Sequence, residues 1–83
     1  MSGYIVYALK CDDGKLYTFH RVYRKDNTFE VIRVPVEYPT ASAYLAEAQG
    51  DFNFRLIINA PPEDINLWAE SHEDVKIVSL VKL

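Results

Sequence analysis

Few side chains in this sequence have the types and spacing that catalysis requires. The 83 residues include one cysteine, Cys11, and two histidines, His20 and His72, which lie far apart along the chain. A cysteine nucleophile needs a histidine base within reach, and a zinc site needs closely spaced cysteine and histidine ligands. Neither pattern is present, and the three glycines are scattered and form no phosphate-binding loop. The sequence therefore predicts a protein that is not an enzyme and that uses no metal and no cofactor.

A group of aromatic and basic side chains is the strongest candidate for binding. Its members are Tyr17, Phe19, Arg21 and Tyr23, with Lys10 and Arg33 beside them. Such residues on a sheet face can anchor a protein interface, or they can stack single-stranded bases and hold phosphates. Ordinary cross-strand pairs on an exposed sheet face give the same pattern. The sequence leaves these three interpretations open.

Acidic residues form a second candidate surface, on or beside the second predicted helix. They are Glu63, Asp64, Glu70, Glu73 and Asp74. Acids are also favoured at a helix start by the helix dipole, so a solvated helix face explains them without a partner. Leu67 adjoins Trp68 in sequence and cannot share its face of the helix. Because these side chains are expected to lie on the exposed side of the helix, we include Glu63, Leu67 and Glu70 among the predicted partner-binding residues.

Three strands are predicted in the first half of the chain, and the turns between them decide which side chains share a face. Strands over Tyr4–Cys11 and Leu16–Arg24 flank an Asp-Gly pair, which favours a two-residue type I′ turn. A third strand is predicted over Phe29–Tyr38, and Pro35 indicates that this strand lies at an edge or is bulged at that residue. A two-residue first turn places Cys11 opposite Leu16.

With that turn, one face of the first hairpin is mostly aliphatic and looks like core. Its residues are Ile5, Tyr7, Leu9, Cys11, Leu16, Thr18, His20 and Val22. The other face carries the aromatic and basic group and is expected to be half exposed. For the second hairpin we prefer a turn of odd length, because it places Arg33 on the aromatic face and pairs Arg24 with Glu30.

The second half of the chain alternates helix and strand. Thr40 can cap a helix whose apolar stripe includes Leu45, and Gly50 can end it. A strand over Phe52–Asn59 follows, then a helix opened by Pro61 and Pro62, and a last strand over Val75–Leu83. This order, β-β-β-α-β-α-β, predicts an α+β fold with two layers. We expect a five-stranded mixed sheet, with two helices packed on one face and the last strand parallel to its neighbour.

The composition indicates a single globular domain over residues 1–83. The apolar fraction is 49%, the charged fraction is 25% and the net charge is −3, which disfavours disorder and duplex-DNA binding. Positive charge predominates over residues 10–33 and negative charge over 34–83. One cysteine, no signal peptide and no long apolar run predict a cytoplasmic location without membrane contact. We expect a chain this short to lack pockets of about 300 Å³ or more.

By elimination, the sequence predicts a small non-enzymatic protein that binds a larger protein and modulates or inhibits it. Small acidic inhibitors that phages direct against host enzymes or defence factors are one class of this size. The first alternative is single-stranded RNA or DNA binding through the aromatic and basic face. Two further alternatives are a small enzyme that uses Cys11 or a histidine, and a structural subunit that forms a homodimer.

Overall fold

The computed structural model describes residues 7–50 and 54–83 and has five strands and two helices there. They are β1 (Tyr7–Cys11), β2 (Leu16–Tyr23), β3 (Phe29–Pro35), α1 (Ala41–Gln49), β4 (Leu56–Asn59), α2 (Pro62–Ser71) and β5 (Ile77–Lys82). The predicted element order and the α+β class are confirmed. The parts of the predicted strands that fall on residues 4–6 and 52–53 lie outside the described residues.

The sheet has the strand order β3-β2-β1-β5, and β4 pairs with β2. Every observed pairing is antiparallel, so the expectation of a mixed sheet with a parallel last strand is wrong. The direction of α2 explains the difference. This helix passes Arg21 at Asp64 and Phe19 at Trp68, so it carries the chain toward the tip of the first hairpin. β5 begins at that tip and runs back beside β1.

Both hairpins turn through three residues, and a residue with positive φ ends each turn. In the first, Gly14 has a φ of 81°, and the Cys11 amide donates to the Lys15 carbonyl at 3.1 Å. In the second, Asn27 has a φ of 69°. A type I turn followed by a left-handed residue builds this loop, and it uses the same Asp-Gly pair as a two-residue turn. The predicted two-residue first turn is therefore wrong.

The longer first turn shifts the register of β1 against β2 by one residue. Leu9 now lies opposite Tyr17, and Lys10 lies opposite Leu16. A shift of one residue moves a whole strand to the other face, so Leu9 and Cys11 join Tyr17 while Lys10 faces away from it. The second hairpin has the odd turn that the sequence favours.

Two pairings confirm the predicted faces of the second hairpin. Arg33 lies opposite Phe19 on the aromatic face of the sheet. Arg24 forms an ion pair with Glu30, with Nη2 and Oε2 2.5 Å apart. The prediction that β3 is an edge strand is also confirmed, since β3 begins the strand order and Pro35 is its last residue.

One face of the sheet packs against α2. Cys11, Tyr17, Phe19 and Trp68 form a buried cluster there, and the Trp68 and Phe19 rings meet edge to face with centroids 5.0 Å apart. Burial of large aromatic side chains supplies much of the hydrophobic stabilisation available to so small a chain. The face predicted to be half exposed is thus a core face.

The other face of the sheet packs against α1. Leu45 of this helix is fully buried, as are Val22 and Val34, whose side chains leave the sheet on the side opposite to Phe19. The Thr40 hydroxyl caps α1 by accepting from the Ala43 amide at 3.0 Å. The helices therefore lie on opposite faces, and the expectation that they share one face is wrong, because β2 and β3 carry buried apolar side chains on both faces.

Candidate protein-contact surface

The end of the sheet farthest from the first turn exposes a set of large apolar side chains. The register places Phe29, Tyr23 and Leu56 in one row across β3, β2 and β4, and it places Ile58 beside Arg21 in the next row. Phe29, Leu56 and Ile58 are 41%, 50% and 40% exposed. Cross-strand neighbours of this kind lie about 5 Å apart and form a continuous surface. We call Tyr23, Phe29, Leu56 and Ile58 the Tyr23 patch.

The start of α2 fixes the extent of the Tyr23 patch. Ala60 ends β4 by donating its amide to the Phe19 carbonyl at 3.0 Å, and α2 begins two residues later at Pro62. The helix then runs toward the first turn and away from Tyr23. The end row of the sheet face therefore has no helix over it among the described residues.

Arg21 is held in place beside the Tyr23 patch. Its guanidinium carbon lies 4.3 Å from the centroid of the Phe29 ring, and its Nη1 donates to the Tyr23 hydroxyl at 3.0 Å. Nε and Nη2 donate to the two carboxylate oxygens of Asp64, with Nη2 and Oδ1 3.1 Å apart. The hydrogen bond from Arg21 lowers the pKa of the Asp64 carboxyl below its ordinary value. The Arg21 charge is thus neutralised in a rigid arrangement.

Positive charge borders the Tyr23 patch. Arg55 is exposed next to Leu56 and donates to the neutral amide oxygen of Asn27. Lys25 is exposed in the turn between β2 and β3. The charge of Arg24 is balanced by its ion pair with Glu30. Of the remaining charged residues at this border, Lys25 and Arg55 are positive and Asp26 is negative, which leaves a net charge of +1. The patch therefore presents an apolar centre with a basic edge.

Arg33 occupies a different setting on the same sheet face. Its guanidinium carbon lies 4.0 Å from the Tyr17 ring centroid and 5.5 Å from the Trp68 ring. The Tyr17 hydroxyl donates to the Asp13 carboxylate at 2.5 Å, which raises the pKa of Tyr17 to about 12 and lowers the pKa of Asp13. We call Arg33, Tyr17 and Trp68 the Arg33 cluster.

A cleft opens where β1 and β4 share one edge of β2. β1 pairs with β2 at Leu16 and Tyr17, and β4 pairs with it from His20 to Tyr23, so the two strands separate at Thr18. The cleft has a volume of about 1460 Å³, and the expectation that the chain lacks a sizeable pocket is wrong. Its exposed apolar rim includes Tyr7, Leu80 and Leu83.

The cysteine and the histidines have structural surroundings. Cys11 is 1% exposed and lies in the core cluster under α2. His20 lines the cleft with its Nε2 2.9 Å from the Thr18 hydroxyl, and burial lowers the pKa of this histidine. The His72 ring stacks on Trp68 with centroids 4.0 Å apart. Within residues 7–50 and 54–83, no group of three or more potential metal ligands occurs.

The structure separates the residues predicted to bind a partner. Tyr17 and Phe19 are 6% and 5% exposed, so the prediction of an exposed aromatic face over these two residues is wrong. Nucleic-acid binding through this face would need exposed rings on which bases can stack, and Tyr17 and Phe19 are buried. Arg21 and Tyr23 come together, as predicted from their alternation, while Arg33 lies farther along β3.

The remaining predicted contact residues lie on other surfaces. Lys10 is exposed on the face opposite to the aromatic residues, as the shifted register requires. Glu63, Leu67 and Glu70 are exposed on α2, and their role as partner contacts stays a prediction.

Sequence reasoning missed Phe29, Leu56 and Ile58. Leu56 and Ile58 alternate with polar residues, a pattern typical of a strand with one buried face, yet both side chains are exposed. Alternation identifies a face of a strand and does not show whether a helix covers that face. The signal available in advance was the Pro61-Pro62 pair, which fixes where α2 can begin.

No known relative identifies this chain. Comparison with protein-family models, with curated proteins and with solved structures gives no match. Neither helix in the described part of the chain is long and apolar enough to cross a bilayer. The inference of function therefore rests on the chain's own geometry.

Proposed function

We propose that this protein acts by binding a larger protein through the Tyr23 patch, and that it modulates or inhibits that partner by occupying its surface. The observation that carries the proposal is the exposed row across three strands, Phe29, Tyr23 and Leu56, with Arg21 held beside it. Contiguous exposed apolar groups on a small protein mark interaction sites. Aromatic and arginine side chains are also the commonest energetic anchors of protein interfaces.

The basic border of the patch defines the chemistry of the partner. Arg55 and Lys25 flank the apolar row, and neither forms an ion pair with a described carboxylate within 4.0 Å. A complementary surface has an apolar centre and acidic groups at its edge. Such charges speed association and exclude basic surfaces, while the apolar row supplies most of the affinity.

The surroundings of the potential catalytic groups support a non-enzymatic role. Cys11 is buried under α2. His20 forms a hydrogen bond with the Thr18 hydroxyl, and the His72 ring stacks on Trp68. A catalytic set needs a nucleophile or base that a substrate can reach, together with a group that orients it. Cys11 has no such access.

A matched pair of lysine substitutions tests the proposal. Leu56→Lys places a charge in the Tyr23 patch, and Leu67→Lys places the same charge at an isolated position on α2. Leu56 and Leu67 are 50% and 61% exposed, so neither change disturbs the core. We expect the native host lysate to yield a partner that binds the unchanged protein and Leu67→Lys equally. Loss of one anchor of about 1.4 kcal/mol or more weakens binding tenfold or more in Leu56→Lys.

The purified partner then gives the decisive measurement. Calorimetric titration compares dissociation constants for the three proteins, and circular dichroism confirms that each is folded. Equal affinity for Leu56→Lys and the unchanged protein would show that the Tyr23 patch is not the contact surface. A loss confined to Leu67→Lys would move the interface to α2.

A further inference from the structure

Arg33 lies over two aromatic rings. Its guanidinium carbon lies 4.0 Å from the centroid of Tyr17 and 5.5 Å from that of Trp68. Both rings belong to the buried cluster under α2, so neither can move away without disturbing the core. Stacking on aromatic faces fixes the plane of a guanidinium group and lowers the entropy lost when it binds a ligand.

The hydrogen-bond donors of Arg33 have no partner among the described residues. In the described ranges the ion pairs are Arg21–Asp64 and Arg24–Glu30, and Arg33 has no carboxylate within 4.0 Å. The hydrogen bonds that the Asp13 oxygens accept from the Tyr17 hydroxyl and the Lys15 amide lower the pKa of Asp13, and the positive charge of Arg33 helps to lower it. The negative charge of Asp13 thus lowers the electrostatic potential at Arg33, but Asp13 accepts no hydrogen bond from the Arg33 guanidinium.

An immobilised guanidinium with free donors matches a planar oxyanion. Arginine presents parallel N–H groups that bind the two oxygens of a carboxylate together. The negative charge of Asp13, which interacts with the charges of both Arg33 and Lys15, repels a phosphate dianion more strongly than a singly charged carboxylate. A singly charged, planar carboxylate fits the charge and the shape of this position better.

We propose that Arg33 is a binding site for a carboxylate group, such as an acidic side chain of a peptide. The guanidinium donates two parallel hydrogen bonds to the carboxylate, and Tyr17 and Trp68 hold it in the required orientation. The site is separate from the Tyr23 patch, since Phe29 and Arg33 lie four residues apart along β3, or about 13 Å. The inference holds whether or not the Tyr23 patch binds a protein.

The single tryptophan provides a direct test. Trp68 is the chain's one tryptophan, and it lies 5.5 Å from the Arg33 guanidinium, so its fluorescence reports on that group. Sodium acetate is titrated against sodium chloride at constant ionic strength, while ¹⁵N NMR follows the Nε–H signal of Arg33 in the unchanged protein. We expect a saturable response to acetate, a shifted Nε–H signal and no response to chloride.

Two substitutions assign the response to Arg33. Arg33→Gln is expected to weaken acetate binding at least tenfold, and Arg33→Lys severalfold because the charge stays and the planar fork is lost. Arg24→Gln removes an exposed arginine elsewhere and leaves the response unchanged.

Several outcomes would overturn the proposal. Equal effects of acetate and chloride would do so, as would an Nε–H signal that acetate does not move in the unchanged protein. Tighter binding of inorganic phosphate than of acetate would refute the assignment to a carboxylate. The NMR measurement needs no substitution, so it decides the matter even if Arg33→Gln does not fold.

Discussion

Arg21 and Arg33 lie on the same face of one sheet, and both stack on aromatic rings. They differ in whether a carboxylate neutralises the guanidinium charge. Arg21 meets Asp64 in the first turn of α2 and donates to both of its carboxylate oxygens. Arg33 meets Trp68, which lies one helical turn further along, and no carboxylate in the described part of the chain pairs with it. The neighbouring helical side chain thus decides whether an arginine on this face is a structural link or a free donor.

The largest expected effect comes from Trp68→Ala, which removes the ring between α2 and the Arg33 cluster. Loss of a buried tryptophan costs about 3–5 kcal/mol. A single core of this size supplies about the same net stability, so we expect most of the variant to lose cooperative unfolding. Urea denaturation followed by circular dichroism measures this. Leu67→Ala is the control on the exposed side of α2, with an expected change within about 0.5 kcal/mol.

Asp64→Asn removes the carboxylate that distinguishes Arg21 from Arg33. The pKa of Asp64 is lowered in the folded protein, so its pairing stabilises the fold above the ordinary value of 3.8. That stabilisation is lost as the pH falls below this value, because the unfolded chain then binds the proton more readily. We expect Asp64→Asn to be less stable at pH 7 and to show a flatter decline in the urea midpoint between about pH 5 and 2.

The same substitution probes the freed arginine. With no carboxylate to hold it, Arg21 should respond to acetate in the NMR titration as Arg33 does. An unchanged acid dependence, or an Arg21 signal that ignores acetate, would mean that the two arginines differ for a reason other than Asp64.

The smallest of these effects is expected from Tyr17→Phe, which keeps the ring against Arg33 and removes its hydroxyl. The bond to Asp13, followed by burial, raises the pKa of Tyr17 to about 12. The neutral phenol therefore stabilises the fold below the ordinary value of 10.0, and the contribution is lost as the pH rises through 10 to 12. Thermal unfolding at pH 8 to 12 should show a steeper fall for the unchanged protein than for Tyr17→Phe. Parallel curves would contradict this assignment of the bond.

Local sequence signals predicted the elements well. Thr40 caps α1 and Gly50 ends it in a positive-φ conformation, as the residue types require. The first hairpin was placed correctly, but its register was not. Asp13-Gly14 fits a two-residue and a three-residue turn equally well, and the choice depends on burying Leu9 and Cys11 with Trp68, a contact made far along the chain.

The candidate site was predictable only in part. Alternation along β2 brought Arg21 and Tyr23 together, because side chains two residues apart share a face. The exposure of Phe29, Leu56 and Ile58 depends on the direction in which α2 crosses the sheet. The Pro61-Pro62 pair indicates where α2 begins, but its direction is set by contacts with Phe19 and Arg21, which lie far away along the chain. Tertiary placement of one helix therefore decided which aromatic residues became surface and which became core.

The shared edge of β2 has a mechanical consequence. In the described part of the sheet, β1 pairs with β5 at five residue positions. The same strand pairs with β2 at only two positions, Leu9–Tyr17 and Lys10–Leu16. Partial unfolding follows the boundary with the fewest stabilising contacts. Opening of the sheet along this seam would expose Ala8 and Cys11, which are each 1% exposed in the closed sheet, while β2, β3 and β4 keep their pairing and the Tyr23 patch stays intact.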